Sequence, residues 1–224
     1  MLMIFPLLAL LLWLPQWRQK QVATVTGAVA LHNRAIWCSA LAWQVTLFLG
    51  INSLIYYVII GWLPAILLSH GYSEAQAGSM HGLLQLATAI PGLAVPLILH
   101  RLNDQRGIAG AVALMCAVSA AGFWFAPDLA VVWTLVFGFG TGATMILGLT
   151  FIGLRASSAH QAAALSGMAQ SIGYLLAACG PPLMGKIHDT AGDWQIPLLA
   201  CALASVVMAI CGILAGRDRE ITPR

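Results

Sequence analysis

The chain has 224 residues, 60% of them hydrophobic and only 8% charged, with a mean hydropathy of +0.89. So little charge excludes a soluble globular domain, whose surface could not be solvated. The net charge of +3 is spread over several short segments, an orientation pattern rather than the continuous basic patch that a nucleic-acid partner requires.

Residues 1–14 form an apolar run with no basic stretch before it and Trp17-Arg18-Gln19-Lys20 after it, the reverse of a secretory signal. At ~1.5 Å per residue the run reaches about 21 Å, short of a full crossing. It is expected to be a partial transmembrane helix whose start is missing, so the chain reads as a fragment. Residues 15–40 are expected to be a cytoplasmic linker, carrying Arg18, Lys20, His32, Asn33 and Arg34. Six longer apolar runs follow, over 41–68, 75–99, 107–125, 129–154, 161–183 and 195–215. Each approaches or exceeds the roughly 20 residues that a helix needs to cross the hydrocarbon core. Backbone groups find no water in lipid, and the alternation of a barrel strand is absent, so these runs must be helices. The predicted fold class is an all-α polytopic membrane protein, with a six-helix bundle over 41–215 and a cytoplasmic tail over 216–224.

Threading the runs alternately across a bilayer puts Arg18, Lys20, Arg34, Arg101, Arg106, Arg155, Arg217, Arg219 and Arg224 on one face and Lys186 alone on the other. Basic residues near transmembrane ends are retained inside, so the C-terminus is expected in the cytoplasm and the 185–194 loop outside. Ser158-Ala159-His160-Gln161 reads as a capping box at the start of the fifth run. Pro127 and Pro197 sit near helix starts, whereas Pro64, Pro91 and Pro96 lie deeper and predict kinks. Gly138 and Gly142 form one small-xxx-small pair, and Ala169, Gly173 and Ala177 another.

Near mid-depth the first span carries Asn52 and Tyr56, the second Gln85 and Thr88, the fourth Thr141 and Thr144, and the fifth Gln170 and Tyr174. Each pair is spaced i, i+3 or i, i+4 and faces one way from its helix. The third and sixth spans offer only Ser119 and Ser205. Polar groups in hydrocarbon tend to face an interior or a wet cavity, so spans one, two, four and five are expected to line a shared cavity while three and six face lipid. A purely assembly-serving set of helix–helix hydrogen bonds is the other reading. All seven acidic residues map to loops or termini, which leaves His81 as the candidate proton-linked group, or else as a packing histidine. The five cysteines show no metal spacing, and no cofactor motif is present.

A polar-lined six-helix unit behind a tail helix and a cytoplasmic linker resembles the C-terminal half of a major facilitator superfamily transporter, helices seven to twelve. The loop His100-Arg101-Leu102-Asn103-Asp104-Gln105-Arg106-Gly107 resembles the second copy of that superfamily's gating motif, with Asp104 and Arg106 at its charged positions. The stretch from Gly180-Pro181-Pro182 through Gly185 to Asp189, Gly192 and Trp194 is similar to the ending of helix eleven in many members. Gly50-Ile51-Asn52-Ser53, Gly61-Trp62-Leu63-Pro64 and Gly71-Tyr72-Ser73-Glu74 further resemble the cyanate porter family.

The resemblance implies a secondary active transporter, not an enzyme, moving a small polar or heteroaromatic solute across a bacterial inner membrane by alternating access. Asn52, Tyr56, Gln85, Thr144, Gln170 and Tyr174 are then the expected substrate-binding residues, and a six-helix N-terminal half is the expected partner. The alternatives are a non-transporting or accessory truncated fragment and an intramembrane serine protease. For the protease, Ser166 in Ala164-Leu165-Ser166-Gly167 would need His188, which lies far from it in depth.

Overall fold

The computed structural model describes residues 36–99 and 104–221. The expected partial helix over 1–14, most of the linker and the first residues of the gating motif lie outside the described residues. The described chain runs through α1 (Ala40–Ser69), α2 (Glu74–Ala89), α3 (Pro91–Leu99), α4 (Arg106–Phe125), a 3-10 turn over Pro127–Leu129, α5 (Ala130–Leu154), α6 (Ala159–Ala191) and α7 (Gln195–Ala215). Among the described residues, six helical spans are long and apolar enough to cross a membrane, with α2 and α3 together making the second. That span divides at Ile90 because Pro91 has no N–H to give to the preceding turn.

Side-chain chemistry sets the ends of these helices. Ser73 and Gln76 form a reciprocal capping box at the start of α2. At the start of α6 the Ser158 hydroxyl accepts from the Gln161 N–H at 3.2 Å, but the Gln161 carboxamide reaches one residue further back, to the Ser157 N–H at 2.7 Å. The expected outside loop over 185–194 is mostly helix. Nothing before Gly192 breaks the helix, and Gly192 ends it in the left-handed region at φ +82°, donating its N–H to the His188 carbonyl.

Lipid offers no hydrophobic force between apolar helices, so tight packing must hold them together. The largest packing faces are α1 on α6 and α4 on α7. At the α1–α6 crossing, a methyl group on Gly50 would sit 3.3 Å from the Gly173 Cα, and one on Gly173 would sit 3.3 Å from the Gly50 Cα. Further along the same seam, Gly180 lies against Leu54 and Val58, and Gly185 against the Trp62 ring. Trp62 donates its indole N–H to the Pro181 carbonyl at 2.9 Å, and its ring lies 5.2 Å from that of Trp194. Gly180, Gly185 and Trp194 therefore pack on one face of α1, from Leu54 to Trp62. The α4 and α7 faces not used in packing carry Leu114 and Val118, and Leu203 and Ile210, all exposed. The second and fifth spans are nevertheless the least covered of the six.

One end of the bundle is tied by Arg155, just past α5, which is 2% exposed. Its guanidinium donates to the Ala215 carbonyl at 2.9 Å, the Gly216 carbonyl at 3.3 Å and the Gln105 Oε1 at 2.5 Å. The Asp218 carboxylate is 3.8 Å away, and the Phe151 ring lies beneath. Burial pushes the Arg155 guanidinium below its usual value, and Asp218 and then Asp104 oppose that shift. Beside it the tail docks, with the Ile221 N–H donating to the Arg155 carbonyl at 2.9 Å and the Gln161 amide donating to the Ile221 carbonyl at 3.2 Å.

Arg155→Ala would strand the helix-end carbonyls of α7. A loss of about 2–4 kcal/mol is expected, since buried acceptors left unpaired cost about 1–3 kcal/mol. Chaotrope unfolding of the purified protein in detergent measures it.

Candidate functional site: a tyrosine-lined cavity

A cavity of about 270 Å³ opens between α1, α2, α5 and α6. Its wall is built from Asn52, Ser53, Tyr56 and Tyr57 of α1, Thr88 of α2, Thr141, Gly142, Met145 and Ile146 of α5, and Tyr174 of α6. The four contributing spans are the four that carry paired polar residues at mid-depth; α4 and α7 contribute none. Gly142 in that wall faces the end of α2. A Cβ there would clash with the Thr88 carbonyl oxygen. Four residues away, a Cβ on Gly138 would lie 2.7 Å from that of Ala87.

Asn52 is 4% exposed and donates its amide N–H to the Thr141 carbonyl at 3.2 Å. Its Oδ1 is buried with no hydrogen-bond partner among the described residues. A buried acceptor of this kind carries a cost unless something donates to it. Tyr56 donates its hydroxyl to the Gln85 Oε1 at 2.8 Å and meets Tyr57 edge-on, with ring centroids 5.5 Å apart. Tyr174 stands opposite and is 53% exposed. The wall thus combines aromatic faces, one unpaired acceptor and hydroxyls, with no ionised side chain among the described residues.

The expected site residues separate into groups. Asn52, Tyr56 and Tyr174 line the cavity, and Gln85 joins it through Tyr56. Thr144 is not in the wall: it is fully buried, and its hydroxyl donates to the Gly140 carbonyl at 2.8 Å. Gln170 is not in the wall either. On α6 it stands four residues before Tyr174, one turn displaced along the helix axis. His81 stands apart from the cavity, with a buried Nδ1 that has no partner among the described residues. Tyr57, Ser53, Met145 and Ile146 were missed because only polar pairs at mid-depth were sought; Met145 lies i+4 from Thr141, so the helical phase of that pair could have found it.

At the gating loop, Asp104 pairs with the Arg106 side chain and also caps the first N–H of α4. The Arg106 Nε donates to Oδ2 at 2.7 Å, and its backbone N–H donates to Oδ1 at 2.9 Å. These bonds, the side-chain one first, hold the Asp104 carboxyl below the usual carboxylate range. The protease constellation fails on geometry. Ser166 and His188 lie on the same helix α6, and 22 residues at ~1.5 Å each separate them by about 33 Å.

Residues 1–178 match the family model described as Major Facilitator Superfamily. The chain belongs to the major facilitator superfamily. It is similar to the 2-nitroimidazole transporter of Escherichia coli (strain K12), at 75% identity over 99% of this chain and 56% of that protein. It is similar to the uncharacterized transporter YycB of Bacillus subtilis (strain 168), at 43% identity over 96% of this chain and 54% of that protein. The cyanate transport protein CynX of Escherichia coli (strain K12) is a more distant relative, at 28% identity over 75% of this chain and 44% of that protein. The chain spans about half the length of the curated relatives it matches. Its helices are those of a six-helix half of the superfamily fold, a multi-pass membrane protein of a transporter family rather than an enzyme family.

The close approach at Gly142 gives a test. Gly142→Val is expected to push α2 off α5, at a cost of about 1–3 kcal/mol for overpacking. Gly78→Val, where nothing lies within 4 Å of the added Cβ, is expected to leave stability within about 0.5 kcal/mol. Detergent melting curves of the two variants make the comparison.

Proposed function

We propose that this chain is the C-terminal half of a secondary active transporter that moves a small, planar, polar or heteroaromatic solute by alternating access. The carrying observation is the cavity wall, in which an unpaired buried acceptor on Asn52 sits among three tyrosines from two helices. A ring N–H would satisfy that acceptor, and Tyr56 and Tyr174 offer faces on which a ring can stack. Among the described residues no cation lines the cavity, which disfavours a strongly anionic solute held by this half alone. The printed name of the Escherichia coli relative, a 2-nitroimidazole transporter, agrees with a heteroaromatic solute.

Completion by an N-terminal six-helix half is supported by the uncovered faces of α2 and α6. Gly78 and Gly82 on α2 and Gly167 on α6 are exposed, with nothing within 4 Å of an added Cβ. Small residues of this kind admit a close helix partner. Rocking of two such halves around a mid-membrane site is the superfamily's general scheme. Asp104 and Arg106 serve as the gating pair in this reading, and His81 as the proton-linked group. The charge asymmetry supports an inner-membrane protein with a cytoplasmic C-terminus.

In the complete transporter, Asn52→Ala, Gln85→Ala and Tyr174→Phe are each expected to change apparent affinity or solute preference, by roughly tenfold for a lost hydrogen bond, with protein abundance preserved. Unchanged affinity in all three, with lower thermal stability instead, leaves these residues as helix glue and removes the site. For orientation, Asp193→Cys in a cysteine-free background is expected to react with an impermeant thiol reagent in intact cells. Labelling of Arg219→Cys in its place overturns the topology.

A further inference from the structure

A second cavity, of about 470 Å³, lies at the Arg155 end of the bundle, between the first turn of α1 and the chain that follows α7. Its wall includes Ser39 and Gln44 on one side, and Leu214, Arg217, Arg219 and Glu220 on the other. The charge is unbalanced. Two guanidiniums face one carboxylate, and the intervening Asp218 has its carboxylate 3.8 Å from Arg155 instead. Arg217 is braced by donating its Nε to the Leu214 carbonyl at 2.9 Å, which leaves the planar fork of terminal N–H groups for another acceptor. The first turn of α1 contains no acidic residue to compensate the arginines.

The surroundings specify where such an acceptor would come from. The cavity sits at the ends of two membrane-crossing helices, and Trp37 and Trp43, each next in the chain to a wall residue (Cys38 and Gln44), are 53% and 37% exposed. Trp43 donates its indole N–H to the Trp37 carbonyl at 2.9 Å, and the two rings meet edge-on. Amphipathic tryptophans of this kind mark headgroup depth. Leu214 adds an apolar lip to the wall, the surface that the start of an acyl chain requires.

The geometry points to a phospholipid site: the cavity between the start of α1 and Arg217–Ile221 takes the phosphate of an anionic lipid headgroup, held by Arg217 and Arg219 and by the Gln44 amide. Guanidinium–phosphate pairing supplies the charge-assisted hydrogen bonds. The site is separate from the tyrosine-lined cavity and shares no residue with it. It stands whether or not the transported solute is assigned correctly.

The test is native mass spectrometry of the full 224-residue chain in detergent, titrated separately with dioleoyl phosphatidylglycerol, dioleoyl phosphatidylcholine and inorganic phosphate. Phosphatidylglycerol is expected to bind roughly tenfold or more tightly than phosphatidylcholine, because each basic residue at an anionic surface contributes about a factor of five. The double variant Arg217→Gln with Arg219→Gln is expected to lose that preference, and Lys186→Gln, at the opposite end, to keep it. Gln44→Glu, which puts a carboxylate into the cavity, weakens phosphatidylglycerol binding without touching either arginine. Equal binding of the two lipids overturns the site. So does unchanged phosphatidylglycerol affinity in either cavity variant. Displacement of the lipid by an equimolar amount of inorganic phosphate overturns the lipid assignment in favour of a free anion.

Discussion

Everything in this bundle depends on how closely helices can approach without a hydrophobic force to drive them together. In lipid, an apolar side chain gains nothing by leaving its surroundings for a neighbouring helix, so association rests on contact area and on backbone proximity. The glycine positions supply both. Gly50 meets Gly173 where α1 crosses α6, Gly138 and Gly142 admit the end of α2 to α5, and Gly212 accepts the Phe48 ring. Because α5 touches α2 through glycine, its next turn brings Thr141 under Asn52. The cavity is what remains where larger residues, Tyr56, Tyr57, Tyr174 and Met145, hold the helices slightly apart.

The same economy of groups governs the charged end. Arg155 is almost fully buried, which is tolerable because carbonyls, a carboxamide and a carboxylate surround it. A guanidinium has five N–H donors in a fixed fork, and the C-terminus of a helix presents carbonyls with no internal partner, so the two needs cancel. Gln161 works in the same way from the other side, as a cap toward Ser157 and a clasp toward Ile221.

Much of this was legible in the sequence, and the reason is physical. Spans are long, apolar and uninterrupted because the bilayer demands it, and mid-depth polar residues are rare enough to count. The four lining helices follow from that count. The packing role of the Gly138–Gly142 pair follows from its small-xxx-small spacing. What could not be read was the environment of single side chains. Thr144 has the spacing of a lining residue, yet its hydroxyl bonds its own helix at Gly140, an option open to any threonine in a span. Arg155 looked like one more orienting charge, since nothing local foretells partners 50 and 60 residues away. The extent of α6 was underestimated because Lys186, His188 and Asp189 resemble a loop by composition, although only Gly192 has the backbone conformation that stops a helix.

The span between Arg155 and its partners also orders events during synthesis. Gln105 precedes it by 50 residues, but Ala215 follows it by 60. At roughly 5–20 residues per second, those carbonyls emerge about 3–12 s after the guanidinium does. Throughout that interval the side chain has only part of its bonding set, so it must stay hydrated at the membrane surface instead of sinking among the helix ends. The tail clasp at Ile221 comes later still. This end of the bundle is therefore the last to close, and a nascent chain paused before residue 215 would hold its helices in the bilayer with that end open to water.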